Sequence, residues 1–331
     1  MNEYLSSFVT GFAEIISDKL PQLLPGTKIL GVWDGLVYYR YPGDFKKLKT
    51  IPFLNNTFAV LQFFPKKPAF AAMVSAAEKG RFHCLIDRGS FRVRFSKENQ
   101  FASVPKALAV RAENAVRNTT RLRVDRVSPQ TEFWYLIRRE GMGFYGQLLH
   151  KRESTEKNLA QGELRPEFAY LMCCCAQLGK ESIVCDPFCG FGGIAKQLAK
   201  SFPFRKLLLS DIDGGKIVRL QEEALGKNSR VNLSRADALS LTEIPDQTID
   251  LIITDPPWGY YEQIDDIGSF YDEMLQSFSR VLKKGGAAVV LSARKAELEA
   301  SAQKGGVPLY RRIDTLVNGK KAAVFVLYCQ S

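Results

Sequence analysis

Histidine is scarce: the 331 residues hold two, His83 and His150. A His-rich metal site or a His-based catalytic triad has almost no material to work with, so chemistry without a metal is expected. Cysteine does not fill the gap. Seven are present, three of them consecutive (Cys173, Cys174, Cys175), and none lies in the paired C-x-x-C arrangement of a zinc site. The odd count fits a reduced, cytoplasmic chain. No uncharged apolar run approaches the roughly 20 residues that span a bilayer. The start, Met1-Asn2-Glu3-Tyr4, lacks the basic and apolar regions of a signal peptide, and an unexported protein without membrane partners is expected. Repeats and low-complexity segments are absent too. With 46% apolar and 24% charged residues, the chain has an ordinary globular composition. Its length suits two domains at roughly 150 residues each.

What is present in excess is positive charge, and it is unevenly placed. The net charge is +11, and residues 1–165 carry 26 Lys and Arg against 15 Asp and Glu, while residues 166–331 carry 20 of each. The whole excess sits in the first half. A polyanion-binding module joined to a near-neutral catalytic module has this form. The division is expected at 1–155 and 156–331, with the joint in the polar stretch 153–165.

The first half reads as α+β. A helical pattern runs from Val9 to Leu24, Asp34-Gly35 marks a hairpin turn, Ser103 to Val116 reads as a helix, and Phe133–Ile137 pairs plausibly with Phe144–Leu149. Phe91 to Phe95 alternates apolar residues with Arg92 and Arg94, giving one basic strand face. Arg92, Arg94, Arg121, Arg123, Arg138 and Arg139, interleaved with Phe91, Phe95 and Trp134, are the RNA-contact candidates. Lys66-Lys67 and Arg311-Arg312 read as solvated surface.

The second half alternates strands and helices. Strands are expected at Ser182–Cys185, Leu207–Leu209, Val231–Leu233, Ile249–Thr254 and Ala287–Leu291, with helices between them. Pro166 opens a helix through Leu178, and Ser269 caps another that ends before Lys283-Lys284-Gly285-Gly286. Near the end, Asn318-Gly319 between two apolar-rich runs signals a hairpin. The expected fold is a doubly wound, mostly parallel α/β sheet ending in an antiparallel hairpin.

Two strings carry chemistry. Asp186-Pro187-Phe188-Cys189-Gly190-Phe191-Gly192-Gly193 lies where the first strand passes into a helix, and its glycines permit a tight turn close to a ligand. Asp211, ending the second strand, suits the ribose hydroxyls of a nucleoside cofactor. The turn is not G-x-G-x-x-G and starts with a carboxylate that repels a pyrophosphate, which disfavours NAD. S-adenosylmethionine, cationic and without phosphate, fits instead, with Asp237 in reach of its adenine amine. The second string, Asp255-Pro256-Pro257-Trp258-Gly259, stands at the carboxyl end of the fourth strand, where open α/β sheets place ligands. The Asp255 carboxylate and the Pro256 carbonyl hold an exocyclic amine, and Trp258 provides a stacking plate. No strong base is needed. The cysteines of the Cys173–Cys175 run and Cys185 read as small buried hydrophobes, and Cys189 is not expected to act as a nucleophile.

D-P-F-C-G-F-G-G followed by T-D-P-P-W-G resembles motifs I and IV of class I S-adenosylmethionine-dependent amino methyltransferases. Leu148-Leu149-His150-Lys151-Arg152 and Glu163-Leu164-Arg165-Pro166 are similar to strings of the THUMP-containing RNA guanine-N2 methyltransferases, as are Val9-Thr10-Gly11-Phe12 and Asp34-Gly35-Leu36-Val37. The resemblance implies a Rossmann-like catalytic domain behind a ferredoxin-like and THUMP-like RNA-binding region. It implies methyl transfer to the N2 amine of a guanosine. One docking domain and one catalytic domain suit a small structured substrate, which favours tRNA over ribosomal RNA, and a monomer is expected. Carried onto this chain, it assigns Asp255, Pro256 and Trp258 to catalysis. It gives Asp186, Phe188, Gly190, Gly192, Asp211, Ile212, Asp237, Ala238 and Asp255 to the cofactor. Phe191 stands where the family usually has Ser or Thr, and Trp258 where it has Tyr or Phe. A DNA or protein amino methyltransferase and a non-catalytic RNA-binding protein are the alternative readings.

Overall fold

The computed structural model describes residues 2–152, 159, 163–260 and 264–329. The chain divides into two units, Met1–Phe8 with Ile16–Glu153, and Val9–Ile15 with Ser154–Ser331. Most of the joint expected at 153–165 lies outside the described residues.

The elements begin with β1 (Asn2–Ser7), α1 (Ala13–Leu23), β2 (Lys28–Trp33), β3 (Leu36–Tyr41), a 3-10 turn (Phe45–Thr50), β4 (Asn56–Phe64) and α2 (Phe70–Lys79). They continue with β5 (Ser90–Lys97), β6 (Gln100–Phe101), α3 (Lys106–Thr119), β7 (Arg123–Val124), β8 (Thr131–Ile137) and β9 (Gly143–Lys151). The strands of the first unit form one nine-stranded mixed sheet, in the order β2-β3-β1-β4-β9-β8-β5-β6 with β7 on β5. The expected pairing of Phe133–Ile137 with Phe144–Leu149 is the β8–β9 hairpin.

Strand β5 corrects one part of the RNA surface. Phe91 and Phe95 are buried in a core cluster with Phe133, Tyr135 and Tyr145, because strand alternation sends them to the face opposite Arg92 and Arg94. They are packing residues. On the other face Arg92 is paired with Glu132, Arg94 lies over the Phe101 ring, and Trp134 donates its indole N–H to Glu132. Arg138 is held by Asn99 and Glu140. Arg121, Arg123 and Arg139 are exposed, and the first two line a cavity of about 430 Å³ with Gly89, Ser90, Ser128 and Gln130.

The second unit holds α4 (Pro166–Cys173), β10 (Ile183–Asp186), α5 (Gly193–Ser201), β11 (Lys206–Asp211), α6 (Gly214–Glu222) and β12 (Val231–Arg235). After these come β13 (Ile249–Thr254), α7 (Ile267–Val281), β14 (Leu282–Ser292), α8 (Lys295–Lys304), β15 (Leu309–Val317) and β16 (Lys320–Tyr328). Their seven-stranded sheet runs β12-β11-β10-β13-β14-β16-β15. The first five are parallel and the last two join antiparallel, as the hydrophobic pattern and Asn318-Gly319 predict. β13 reads as an apolar run because a parallel strand is covered on both faces. Helix α7 presents Tyr271, Met274, Leu275, Phe278 and Val281 at helical spacing to Ile252, Ala288, Val290, Phe325 and Leu327 of the sheet. Each such buried side chain contributes roughly 1.5–3 kcal/mol of transfer free energy. The cap of α7 is Asp266, not Ser269. Its carboxylate accepts the Gly268 and Ser269 N–H groups at 2.9 and 3.2 Å. Among the described residues no helix is long and apolar enough to cross a membrane.

Candidate active site

In the order β11-β10-β13 the chain reverses its direction of winding between β10 and β13, and a crevice opens there at the carboxyl ends of the strands. β10 ends at Asp186, β11 at Asp211, and β13 passes from Thr254 into Asp255. The two motif strings thus become neighbours because their strands are neighbours. Together they line one cavity of about 580 Å³.

The glycine-rich turn is braced against β11. The Cys189 N–H donates to the Ser210 carbonyl at 2.9 Å, and the Gly190 N–H to Asp211 Oδ2 at 2.9 Å. Asp211 Oδ1 accepts the Asp213 N–H at 2.9 Å and lies 3.5 Å from Lys216 Nζ. Asp211 therefore shapes the turn in addition to facing the cavity. Gly192 caps α5 at φ 79°, and a Cβ there would stand 2.9 Å from Leu220 Cδ2. Of the residues assigned to the cofactor it alone does not line the cavity. Its geometry is that of a helix start needing a left-handed residue packed against α6.

Asp186 is 3% exposed and accepts from Thr254 Oγ1 at 2.7 Å and from the Phe188 N–H at 3.3 Å. Burial pushes its carboxyl up to about 7, against the pull of those two hydrogen bonds. Burial also holds Asp255 well above the usual carboxylate range, opposed by the Trp258 indole. That indole Nε1 donates to Asp255 Oδ1 at 3.0 Å and lies 3.3 Å from the Leu291 carbonyl. Trp258 is thus tied to the carboxylate it stands beside, a role that reading it as a stacking plate does not contain.

The D-P-P-W loop is fixed from outside as well. Tyr271 Oη donates to the Pro257 carbonyl at 3.2 Å and lies 2.9 Å from Ser292 Oγ, and Arg294 Nε donates to the Trp258 carbonyl at 3.0 Å. Thr254, Tyr271 and Arg294 were not expected as site residues. Thr254 carries a weak sequence signal, a hydroxyl at the end of an apolar strand. The other two are brought in by α7 and the β14–α8 junction.

Phe188, Ile212, Ala238, Asp237 and Pro256 also line the cavity. Asp237 Oδ1 accepts the Leu239 N–H at 2.9 Å. Phe191 faces the cavity under the Arg219 guanidinium, 5.0 Å from its ring centre. Glu163, Leu164 and Arg165 of the E-L-R-P string close another side. All seven cysteines are free thiols. Burial pushes Cys173, Cys185 and Cys189 far above a nucleophilic range. Among the described residues no group of three or more His, Cys, Asp or Glu side chains is placed to hold a metal ion.

Four carboxylates, Asp186, Asp211, Asp237 and Asp255, face one cavity with apolar walls. Two of them are desolvated enough to resist ionising. A cationic, phosphate-free ligand relieves that cost and a pyrophosphate aggravates it. These residues fit S-adenosylmethionine, with Asp186 and Asp211 beside the glycine turn and Asp237 and Ile212 lining the same cavity. A pH dependence follows. A raised carboxyl stabilises the ligand-free fold below its unfolded value of 3.8, and that contribution is lost as pH rises through about 7. Binding a cation reverses the preference and demands the ionised form. Affinity for S-adenosylmethionine is expected to fall on the order of tenfold between about pH 7 and about pH 5.5. In Asp186→Asn it should be weaker and less steep with pH, since the raised Asp255 remains in the cavity. Calorimetry across that range checks both, and an equal slope in the variant would remove Asp186 from the cofactor site.

The chain is similar to known proteins in sequence and in fold. Residues 210–318 match the family model "RMKL-like, methyltransferase domain". Over 130 residues the chain is 29% identical to "U6 snRNA (guanine-N(2))-methyltransferase THUMPD2" of Bos taurus, spanning 39% of this chain and 25% of that protein. Over 131 residues it is 32% identical to the "Probable tRNA (guanine(10)-N2)-dimethyltransferase" of Methanothermococcus thermolithotrophicus, spanning 38% of this chain and 78% of that one. The chain belongs to the THUMP-containing guanine-N2 methyltransferase family. It spans about a quarter of the length of the THUMPD2 relatives it matches. The family fold extends across both units: TrmN of Thermus thermophilus superposes with a TM-score of 0.80 at 22% identity, over 99% of this chain and 100% of that one. The second unit is a class I methyltransferase domain of this family, and the first is its α+β amino-terminal part.

Proposed function

We propose that this protein transfers a methyl group from S-adenosylmethionine to the exocyclic N2 amine of a guanosine in RNA, with tRNA as the substrate. The observation that carries the reading is the Asp255 carboxylate, half-buried just after β13 and oriented by the Trp258 indole N–H. It stands beside the acidic glycine-turn pocket that suits a sulfonium donor. The relatives named for guanine-N2 methylation of tRNA and of U6 RNA support the base and the nucleic acid.

Asp255 and the Pro256 carbonyl accept the two N–H groups of the amine. Held there, the nitrogen lone pair is drawn out of conjugation with the ring and aimed at the methyl group. Bound S-adenosylmethionine supplies that methyl group as an electrophile. The indole N–H keeps Asp255 from rotating away, and Tyr271 and Arg294 hold the backbone on which the acceptors sit. Asp255 is held ionised by the bound sulfonium, and its negative charge favours the positive charge developing on the attacked nitrogen. As the N–C bond forms and the S–C bond breaks, releasing S-adenosylhomocysteine, Asp255 takes the proton the nitrogen sheds.

The first unit is assigned to RNA docking, since the basic excess lies in residues 1–165. Its exposed Arg121, Arg123 and Arg139 are the candidates left once the ion-paired Arg92 and Arg138 and the ring-stacked Arg94 are discounted. The seven free thiols suit a reducing cytoplasm, and the reading has the protein acting there as a monomer. Incubating the full chain with labelled S-adenosylmethionine and an unmodified tRNA transcript, then analysing the nucleosides, tests it. N2-methylguanosine is the expected product. Label found only in another nucleoside, or none at all, would sink the proposal.

A further inference from the structure

Beyond the amine-binding corner, the mouth of the cavity carries an aromatic residue between two cations. Tyr260 directly follows D-P-P-W-G and is 48% exposed, with its ring edge-on to Trp258 at 79°. The Arg294 guanidinium lies 4.7 Å from the Tyr260 ring centre, and Lys320 Nζ lies 4.6 Å from it. The three residues come from separate places in the second unit: the loop after β13, the start of α8 and the start of β16.

Each is fixed by structure already described. Arg294 is anchored by its Nε–H bond to the Trp258 carbonyl, and Glu297 lies 3.9 Å from its Nη1. Lys320 leaves the β15–β16 hairpin just after Asn318 and Gly319, both at positive φ, the conformation of a tight primed turn that sets where the strand begins. Lys320, Asn318 and Tyr260 line the cavity itself. The tyrosine face attracts both cations.

The charge layout divides the site in two. Asp186, Asp211, Asp237 and Asp255 make one part of the cavity acidic, which suits a sulfonium donor and an amine and repels a phosphate. A nucleotide brought to Asp255 nevertheless carries a phosphate on each side of its sugar. Lys320 lines the same cavity as Asp255, and with Arg294 at the Tyr260 ring it offers such a group the opposite sign there.

We propose that Tyr260, Arg294 and Lys320 form a phosphodiester-binding subsite that holds an RNA backbone phosphate flanking the target nucleotide. The inference rests on the function proposed above. Arg294 and Lys320 supply the charge-assisted donors, and Tyr260 keeps the two cations together at the rim.

Single-turnover methyl transfer to an unmodified tRNA transcript tests this, measured against RNA concentration at several salt concentrations for the wild type, Lys320→Ala and Lys320→Arg. Lys320→Ala should raise the half-saturating RNA concentration by about tenfold and lower the slope of log affinity against log salt by about 1. Lys320→Arg, which keeps the charge, should return to within about threefold of wild type. Calorimetry with S-adenosylmethionine on the same proteins reports whether the cavity is intact. An unchanged half-saturating concentration and salt slope in Lys320→Ala would overturn the subsite, and so would equal losses in both variants. Wild-type protein that methylates no guanosine would instead overturn the function on which the subsite rests, a result visible before any variant is made.

Discussion

Asp255→Ala is expected to lower single-turnover methyl transfer by a factor on the order of 10² or more, about 2.7 kcal/mol of barrier, because it removes the group that orients the amine and balances its developing charge. Cofactor affinity should stay within a few-fold of wild type, since the glycine turn is built from Asp186 and Asp211 and their partners. The indole N–H bonded to Asp255 Oδ1 adds a sharper comparison. Trp258→Phe keeps an aromatic face and loses the donor. It should therefore lose roughly tenfold or more in rate, more than stacking alone implies, and Trp258→Ala should lose more again. Measuring S-adenosylmethionine affinity and the transfer rate in parallel separates the two effects. Near wild-type transfer by Asp255→Ala would leave the D-P-P-W string as a structural strand end.

Asp211→Ala should do the opposite, weakening the cofactor complex on the order of 30-fold or more while leaving any residual transfer dependent on Asp255. Two losses combine. The carboxylate no longer accepts the Gly190 and Asp213 N–H groups, so the turn loses its brace, and the acceptor we propose for the ribose is gone. Hydrogen bonds to a charged partner are worth roughly 1.5–3 kcal/mol each. Asp211→Asn retains one carbonyl oxygen and should fall between wild type and alanine. Calorimetric affinity within threefold of wild type for Asp211→Ala would show that neither bond matters to the cofactor.

The elements near the site were legible to different degrees. β13 was visible as Ile249–Thr254 because an apolar run bounded by Asp-Pro-Pro has few other readings. The β15–β16 hairpin was announced by Asn318-Gly319. β1 was missed, since Asn2–Ser7 is short and polar at both ends, and its place between β3 and β4 is made by pairing, not by local pattern. The helix foreseen from Val9 starts at Ala13. The RNA candidates divided for a related reason. Alternation along β5 already separates Phe91 and Phe95 from Arg92 and Arg94, but only the register against β8 shows that Arg92 faces Glu132 and is paired. Exposure of Arg121 and Arg123 is likewise a product of where β7 joins the sheet.

What the sequence determined by itself was chemistry of local origin: a glycine turn led by a carboxylate, an acidic end to the next strand, and an acceptor pair stiffened by two prolines. Each works through its own backbone and side chains, so a short string is enough to state it, and the scarcity of histidine already argued against a His-based triad or metal site. The tertiary structure decided everything that depends on distance in space. The sheet order set β10 beside β13 and so put two strings nearly 70 residues apart into one cavity. It desolvated Asp186 and Asp255 enough to change their acidity, turned the Trp258 indole N–H onto Asp255, and packed Gly192 against Leu220. It also brought Arg294 and Lys320 to Tyr260. Desolvation and cross-strand partners are properties of neighbours, and neighbours distant in sequence are chosen only when the sheet forms.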